Sequence, residues 1–141
     1  LTDNYSYKEL IDSDLDAIRL ALQPGRSKAF APGGYNFSTD EWANSGYGLY
    51  MVSRLCEELG GSFILASGDT AVKSDWCGNM ETYRTQFSGT AIQIRIRPSQ
   101  IGNYEDLAKN ILRQGETEAK KRDGSFTAAS RSSKKLFWDG N

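Results

Sequence analysis

Asn44-Ser45-Gly46-Tyr47-Gly48-Leu49, with the segment that runs on to Gly60-Gly61, is the stretch whose reading decides the fold. Two glycines stand one residue apart after a polar, glycine-rich run. Leu49, Val52, Cys56 and Leu59 then recur at spacings of three and four, the period of a helix with one apolar side. Gly60-Gly61 suits a left-handed helix stop. The apolar run Ser62-Phe63-Ile64-Leu65-Ala66 follows at once as a strand. The unit is glycine turn, helix, double-glycine stop, strand. A helix that begins behind glycines presents backbone N–H groups and the positive end of its dipole, which favours an anion such as phosphate.

Outward from this unit, Asp14 to Leu22 has helical spacing, with Leu15, Ile18 and Leu22 on one side and Ser13 or Asp14 as its cap. Pro24-Gly25 ends it. Residues 24–45 follow neither helical nor strand period. A run of that length inside a compact domain is characteristic of a lid or binding loop, and this one carries Arg26, Ser27 and Lys28. Beyond the central unit, the strand candidates are Ser62–Ser67, Glu81–Phe87 with a further piece near Thr70–Lys73, and Thr90–Arg97. In the last, Ile92, Ile94 and Ile96 alternate with Gln93, Arg95 and Arg97, the pattern of a strand with one face on a core. Ser88-Gly89 is expected to turn the last two strands into a hairpin. Asn103 caps a helix that runs to about Lys121, and residues 122–141 are rich in Gly, Ser, Ala and Lys.

Composition narrows the function. The chain has 141 residues, 38% hydrophobic and 25% charged, enough for one domain with its own core. No apolar run reaches the length of a membrane span. The net charge of −1 does not suit a general nucleic-acid binder. The basic excess between Lys109 and Lys135 reads as a solvated helix face and tail, which makes a nucleic-acid partner the weakest candidate. Cys56 falls on the apolar stripe and Cys77 in a turn, so neither a zinc site nor a close disulfide pair is suggested, and a reduced, cytoplasmic setting is the default. There is no histidine, which excludes histidine bases, triads and metal ligands within this chain.

The glycine turn fits neither common phosphate motif. Met51 holds the place of the third glycine of a dinucleotide fingerprint, and no Gly-Lys-Ser/Thr follows for a Walker loop. The order of elements resembles instead the histidine-kinase-like ATPase domain, the GHKL group. That group includes sensor histidine kinases, gyrase-type topoisomerases, mismatch-repair ATPases and a heat-shock chaperone. A long lid, Gly46-Tyr47-Gly48-Leu49, a helix, Gly60-Gly61, a strand ending Ser67-Gly68, and Phe87-Ser88-Gly89-Thr90 before an alternating strand carry the likeness. So does the run from Asp14-Leu15-Asp16-Ala17-Ile18 to Pro24-Gly25-Arg26-Ser27, and the whole resemblance covers residues 8–98.

The resemblance implies an α/β two-layer sandwich of Bergerat type, with a mixed, mainly antiparallel sheet and helices on one face. It assigns residues 1–100 to the C-terminal part of the ATP-binding domain and 101–141 to a helical extension and basic tail. It implies ATP and Mg²⁺ as ligands. ATP phosphates would meet the backbone at Asn44, Ser45, Gly46, Tyr47, Gly48 and Leu49, with Arg26, Ser27 and Lys28 adding contacts from the lid and Thr90 reaching the adenine or a bridging water. Two family elements are missing from this chain: the helix with the magnesium-binding Asn and the catalytic acid, and the Asp-x-Gly-x-Gly segment. The expectation is therefore a fragment whose Mg²⁺ ligand, and any phosphoacceptor or protein partner, lie outside it, and no catalytic residue is assigned within it. The alternative is a non-enzymatic α/β interaction module that has lost nucleotide binding.

Overall fold

The computed structural model describes residues 11–26, 45–123 and 128–129. Ser27, Lys28 and Asn44 lie outside the described residues, as do the tail residues 130–141. The elements follow the order α1 (Asp14–Ala21), α2 (Gly48–Glu58), β1 (Ser62–Asp75), β2 (Met80–Arg95) and α3 (Tyr104–Asp123), with a short 3₁₀ turn at Pro98–Gln100 between the last two.

Local chemistry sets the ends of the helices. The Ser13 hydroxyl accepts from the Asp16 N–H at 3.2 Å and donates to the Asp16 carboxylate at 2.6 Å. The hydroxyl thereby satisfies one donor that the first helical turn leaves over, and such caps contribute about 1 kcal/mol. Leu59 caps α2 at its C-terminus. There the Gly61 N–H bonds the Cys56 carbonyl at 2.8 Å and the Gly60 N–H bonds the Glu57 carbonyl at 3.1 Å, with Gly60 at φ +65°. That is the Schellman stop expected of a double glycine. Gly61 is needed for a second reason, because a Cβ there would stand 1.8 Å from the Arg95 carbonyl oxygen. At α3 the Asn103 side chain accepts from the Asp106 N–H at 3.4 Å, so Asn103 takes the capping place read for it.

The sheet has two strands, antiparallel, with Phe63 opposite Ile94 and Leu65 opposite Ile92. This corrects the strand reading. Ser62–Ser67 and the piece near Thr70 are one strand, and Glu81–Phe87 and Thr90–Arg95 are another. Ser88-Gly89 is no hairpin turn: the pairing steps from Ser67↔Thr90 to Gly68↔Phe87, so those two residues bulge from β2, with Gly89 at φ +126°. The hairpin turns at Asp75–Asn79 instead. There the Asp75 carboxylate accepts the N–H groups of Cys77 and Asn79 and the Asn79 amide, and the Asn79 side-chain bond foremost holds the carboxyl below its usual range. Among the described residues the sheet is thus antiparallel where a mixed, mainly antiparallel one was expected, and they form an α plus β arrangement with three α-helices.

Two cores meet on α2. On one side Cys56 packs with Ile18 of α1 and with Phe63, Leu65 and Val72 of β1, joined by the half-buried Leu15, Leu49 and Val52. On the other, Tyr47, Tyr50, Met51 and Leu55 pack with Ala108, Ile111, Leu112 and Ala119 of α3. Helices α1 and α2 share one face of β1, and α3 stacks behind α2. Each large apolar side chain fully buried in this way contributes roughly 1.5–3 kcal/mol. β2 is covered far less: Ile92 and Ile94 are 48% and 53% exposed, and Ile96 just past its end is 40% exposed. The alternation was read as a strand with one face on a core. The strand is there, but among the described residues no helix covers it.

Candidate functional site

The glycine turn is built by two packing constraints and one open position. The Gly25 N–H donates to the Gly46 carbonyl at 3.2 Å, so the chain leaving α1 and the chain entering α2 are tied side by side. Gly46 has φ +75°, and a Cβ there would fall 2.1 Å from the Arg26 carbonyl oxygen and 2.7 Å from its nitrogen. Only glycine fits that position. Tyr47 follows with its side chain fully buried. Its hydroxyl lies where a Cβ on Gly25 would be 3.3 Å away, which leaves no spare volume beneath the turn. The Met51 N–H then closes the first helical bond on the Tyr47 carbonyl at 2.9 Å.

Gly48 is different. It opens α2, it is exposed, its φ is not positive, and a Cβ on it would meet nothing within 4 Å. Among the described residues, neither backbone strain nor crowding asks for glycine here. The Tyr47 side chain does not cap α2 and no acidic residue stands in its first turn, whereas Asp14 and Asp16 stand in that of α1. Among the described residues, the space beside Gly48 at the first turn of α2 is open.

Beneath the turn lies a polar cluster from the far end of α3. Arg122 donates to the Pro24 carbonyl at 2.9 Å and to Asp123 at 2.6 Å, and Asp123 pairs with Arg26 at 3.5 Å. The Gln23 side-chain oxygen accepts from Arg26 Nε at 3.1 Å. The Arg122 hydrogen bonds, more than the charges of Arg122 and Arg26, hold the Asp123 carboxyl below its ordinary range despite its partial burial. Burial foremost, and then the nearby Glu116 carboxylate, push the Tyr47 phenol up to about 12.

The structure thus brings Arg26, Ser45, Gly46, Tyr47, Gly48 and Leu49 together. Ser45 is buried, and Leu49 packs toward the sheet core. Thr90 sits on β2 opposite Ser67, the two hydroxyls 3.3 Å apart. Among the described residues no three Asp, Glu or Cys side chains converge as metal ligands. No described helix is long and apolar enough to cross a membrane. Asp123 and Arg122 went unread in the sequence, because only the fold carries the end of α3 back to Pro24. Comparison of the chain with protein-family models, with curated proteins and with solved structures finds no match.

Proposed function

We propose that this chain is the phosphate-holding part of a histidine-kinase-like ATP-binding domain, with the ATP phosphates against the first turn of α2. The observation that carries the reading is Gly48. A glycine at the head of a helix lowers helix stability by up to about 1 kcal/mol relative to alanine, and nothing in the packing of the described residues requires it. Close approach of a ligand to the backbone accounts for it. Gly46 has a sufficient structural reason of its own and adds nothing to the ligand argument. Arg26 and Lys28 would add charge and Ser27 a hydroxyl from the loop side, Asn44 and Ser45 would lead into the turn, and Thr90 would approach the nucleotide from the sheet. The Mg²⁺ ligand and the adenine-reading carboxylate would come from elements outside this chain, and the uncovered face of β2 offers such elements a place to pack.

Titration of the ¹⁵N-labelled chain with ATP tests this. The expected result is saturable shifts of the Gly46–Met51 amides with millimolar affinity, since only the phosphate half of the pocket is present. Unmoved Gly46–Met51 amides at saturating millimolar ATP would discard the reading.

The second reading, a non-enzymatic interaction module, is favoured by one observation. Ile92 and Ile94 of β2, with Ile96 just past its end, form an exposed apolar row on a strand that has one free edge among the described residues, the kind of surface a protein partner covers.

A further inference from the structure

β2 meets solvent along nearly its whole length. Of its 16 residues all but Thr85 are exposed, and β1 is its one strand neighbour among the described residues. Alternate residues of a strand turn their N–H and C=O to opposite edges, so the edge of β2 away from β1 carries a row of backbone groups with no strand to receive them. The side chains are sorted by face, because residues directly opposite each other share one. Ile94 stands opposite Phe63 and Ile92 opposite Leu65, so both extend the apolar side that β1 buries against α1 and α2. Gln93 and Arg95 stand opposite Ile64 and Ser62 on the other face. Ile96 and Arg97, just past the end of the strand, continue the alternation, and Arg97 keeps an extended backbone at φ −98° and ψ 111°.

The free charges on this strand are of one sign. Arg84, Arg95 and Arg97 are exposed and make no ion pair or side-chain hydrogen bond among the described residues. The one carboxylate between Met80 and Arg97 is Glu81, which pairs with Lys73 at 3.4 Å and accepts from the Tyr83 hydroxyl. An occupant that satisfies the edge therefore needs an extended backbone for the open ladder, apolar side chains for the Ile92 and Ile94 side, and carboxylates for the Arg95 and Arg97 side. A second copy of the chain meets the first two needs and fails the third, since its β2 brings the same arginines and a Glu81 already engaged. A nucleic-acid strand meets the third and fails the other two. We propose that β2 receives an extended acidic segment of a partner protein by strand addition, in which aliphatic side chains alternate with Asp or Glu. Its apolar side would cover Ile92 and Ile94, and its carboxylates would lie beside Arg95 and Arg97. This site rests on the reading of the chain as an interaction module and owes nothing to the nucleotide reading.

The test uses the ¹⁵N-labelled 141-residue chain and end-blocked peptides of about ten residues, the upper range of a usual strand. One alternates Val and Glu, the other Val and Lys. Binding is read by anisotropy of the tagged peptide and by the amide signals of β2. The Val–Glu peptide is expected to bind saturably and to move the Thr90–Arg95 amides, and the Val–Lys peptide is expected not to. R95E combined with R97E should weaken Val–Glu binding about fivefold or more, the loss of two opposite-charge cross-strand pairs, and should admit the Val–Lys peptide. That exchange of preference is a gain a damaged fold does not produce. A Val–Glu peptide N-methylated along its backbone keeps its charge but loses the ladder hydrogen bonds, and should not bind. Equal binding of the N-methylated peptide, or tighter binding of a single-stranded oligonucleotide at the same arginines, overturns strand addition by a protein. Val–Lys bound as tightly as Val–Glu leaves β2 an interaction surface but overturns the acidic partner. A stable dimer that I94K dissolves and the Val–Glu peptide does not displace assigns the edge to a second copy and overturns it too. No peptide bound and a monomer at every concentration overturn both the acidic partner and the interaction-module reading.

Discussion

The carbonyl oxygen of Arg26 lies where a side chain on Gly46 would have to stand, 2.1 Å from its ideal Cβ. Two residues on, Gly48 has open space around it and an ordinary helical backbone. The two glycines should therefore respond in opposite ways to the same change. G46A must move the Arg26 backbone and enter a left-handed conformation, so a loss of at least 1–3 kcal/mol is expected. G48A should raise stability by up to about 1 kcal/mol. Thermal melts of the two variants measure this directly. If the α2 reading holds, G48A should also weaken the ATP response at Gly46–Met51 while it stabilises the fold.

Gly115 of α3 faces the Tyr50 ring of α2. A Cβ there would sit 2.5 Å from one ring carbon, and Tyr50 is 5% exposed. G115A would gain helix propensity of about 1 kcal/mol, but overpacking of a closed helix contact typically costs 1–3 kcal/mol. The net expectation is a loss, seen as a melting temperature several degrees lower. A melt at or above that of the parent would show that Tyr50 can turn aside, and that α3 is held less closely than the geometry indicates.

These glycines also mark where the sequence was readable. Gly60-Gly61 stood between a helical and an apolar strand pattern, and local chemistry alone made it a helix stop. Ser13 and Asn103 were legible for the same reason. Gly89 was not. A glycine beside a serine between two strand-like runs reads equally as a turn or as a bulge, and only the pairing of Ser67 with Thr90 separates the two. The isoleucines of β2 show a second limit. Period two reports which side chains share a face, while the cover for that face is a tertiary matter. The second stripe of α2, Tyr47, Tyr50, Met51 and Leu55, was hidden because it faces α3 rather than the sheet. For the site, the Gly46–Leu49 turn was visible as a motif, but its footing on Pro24, Arg26, Arg122 and Asp123 joins residues almost a hundred positions apart.

Because Ile94 is 53% exposed and lies in the row with Ile92 and Ile96, a charge placed there should be tolerated. I94K in this chain is expected to change stability by less than about 0.5 kcal/mol, the usual range for surface positions. It should also reduce self-association, since a lysine on an apolar edge strand opposes edge-to-edge pairing. Denaturant melts and sedimentation at rising concentration test the two halves. A loss of several kcal/mol would mean that some part of this chain outside the described residues covers β2.

The raised phenol of Tyr47 predicts an alkaline weakness in the fold. Its pKa is about 12 in the folded chain against an ordinary 10.0, so the unfolded chain releases the proton first. A group whose folded pKa is raised contributes stability that is fully present below the unfolded pKa and is lost as pH rises toward the folded one. Stability should therefore hold to about pH 10 and fall from there toward pH 12, by up to roughly 2–3 kcal/mol from this residue. Burial also raises the phenols of Tyr50 and Tyr104, so they add to the same limb. Y47F removes the largest contribution and should flatten the limb without abolishing it, provided melts are compared from pH 8 to 11.5. Tyrosinate absorbance supplies the second readout, with one slow-titrating phenol absent in Y47F. An alkaline limb equally steep in Y47F would place the titrating group elsewhere and undo the assignment of Tyr47 as the buried anchor of the glycine turn.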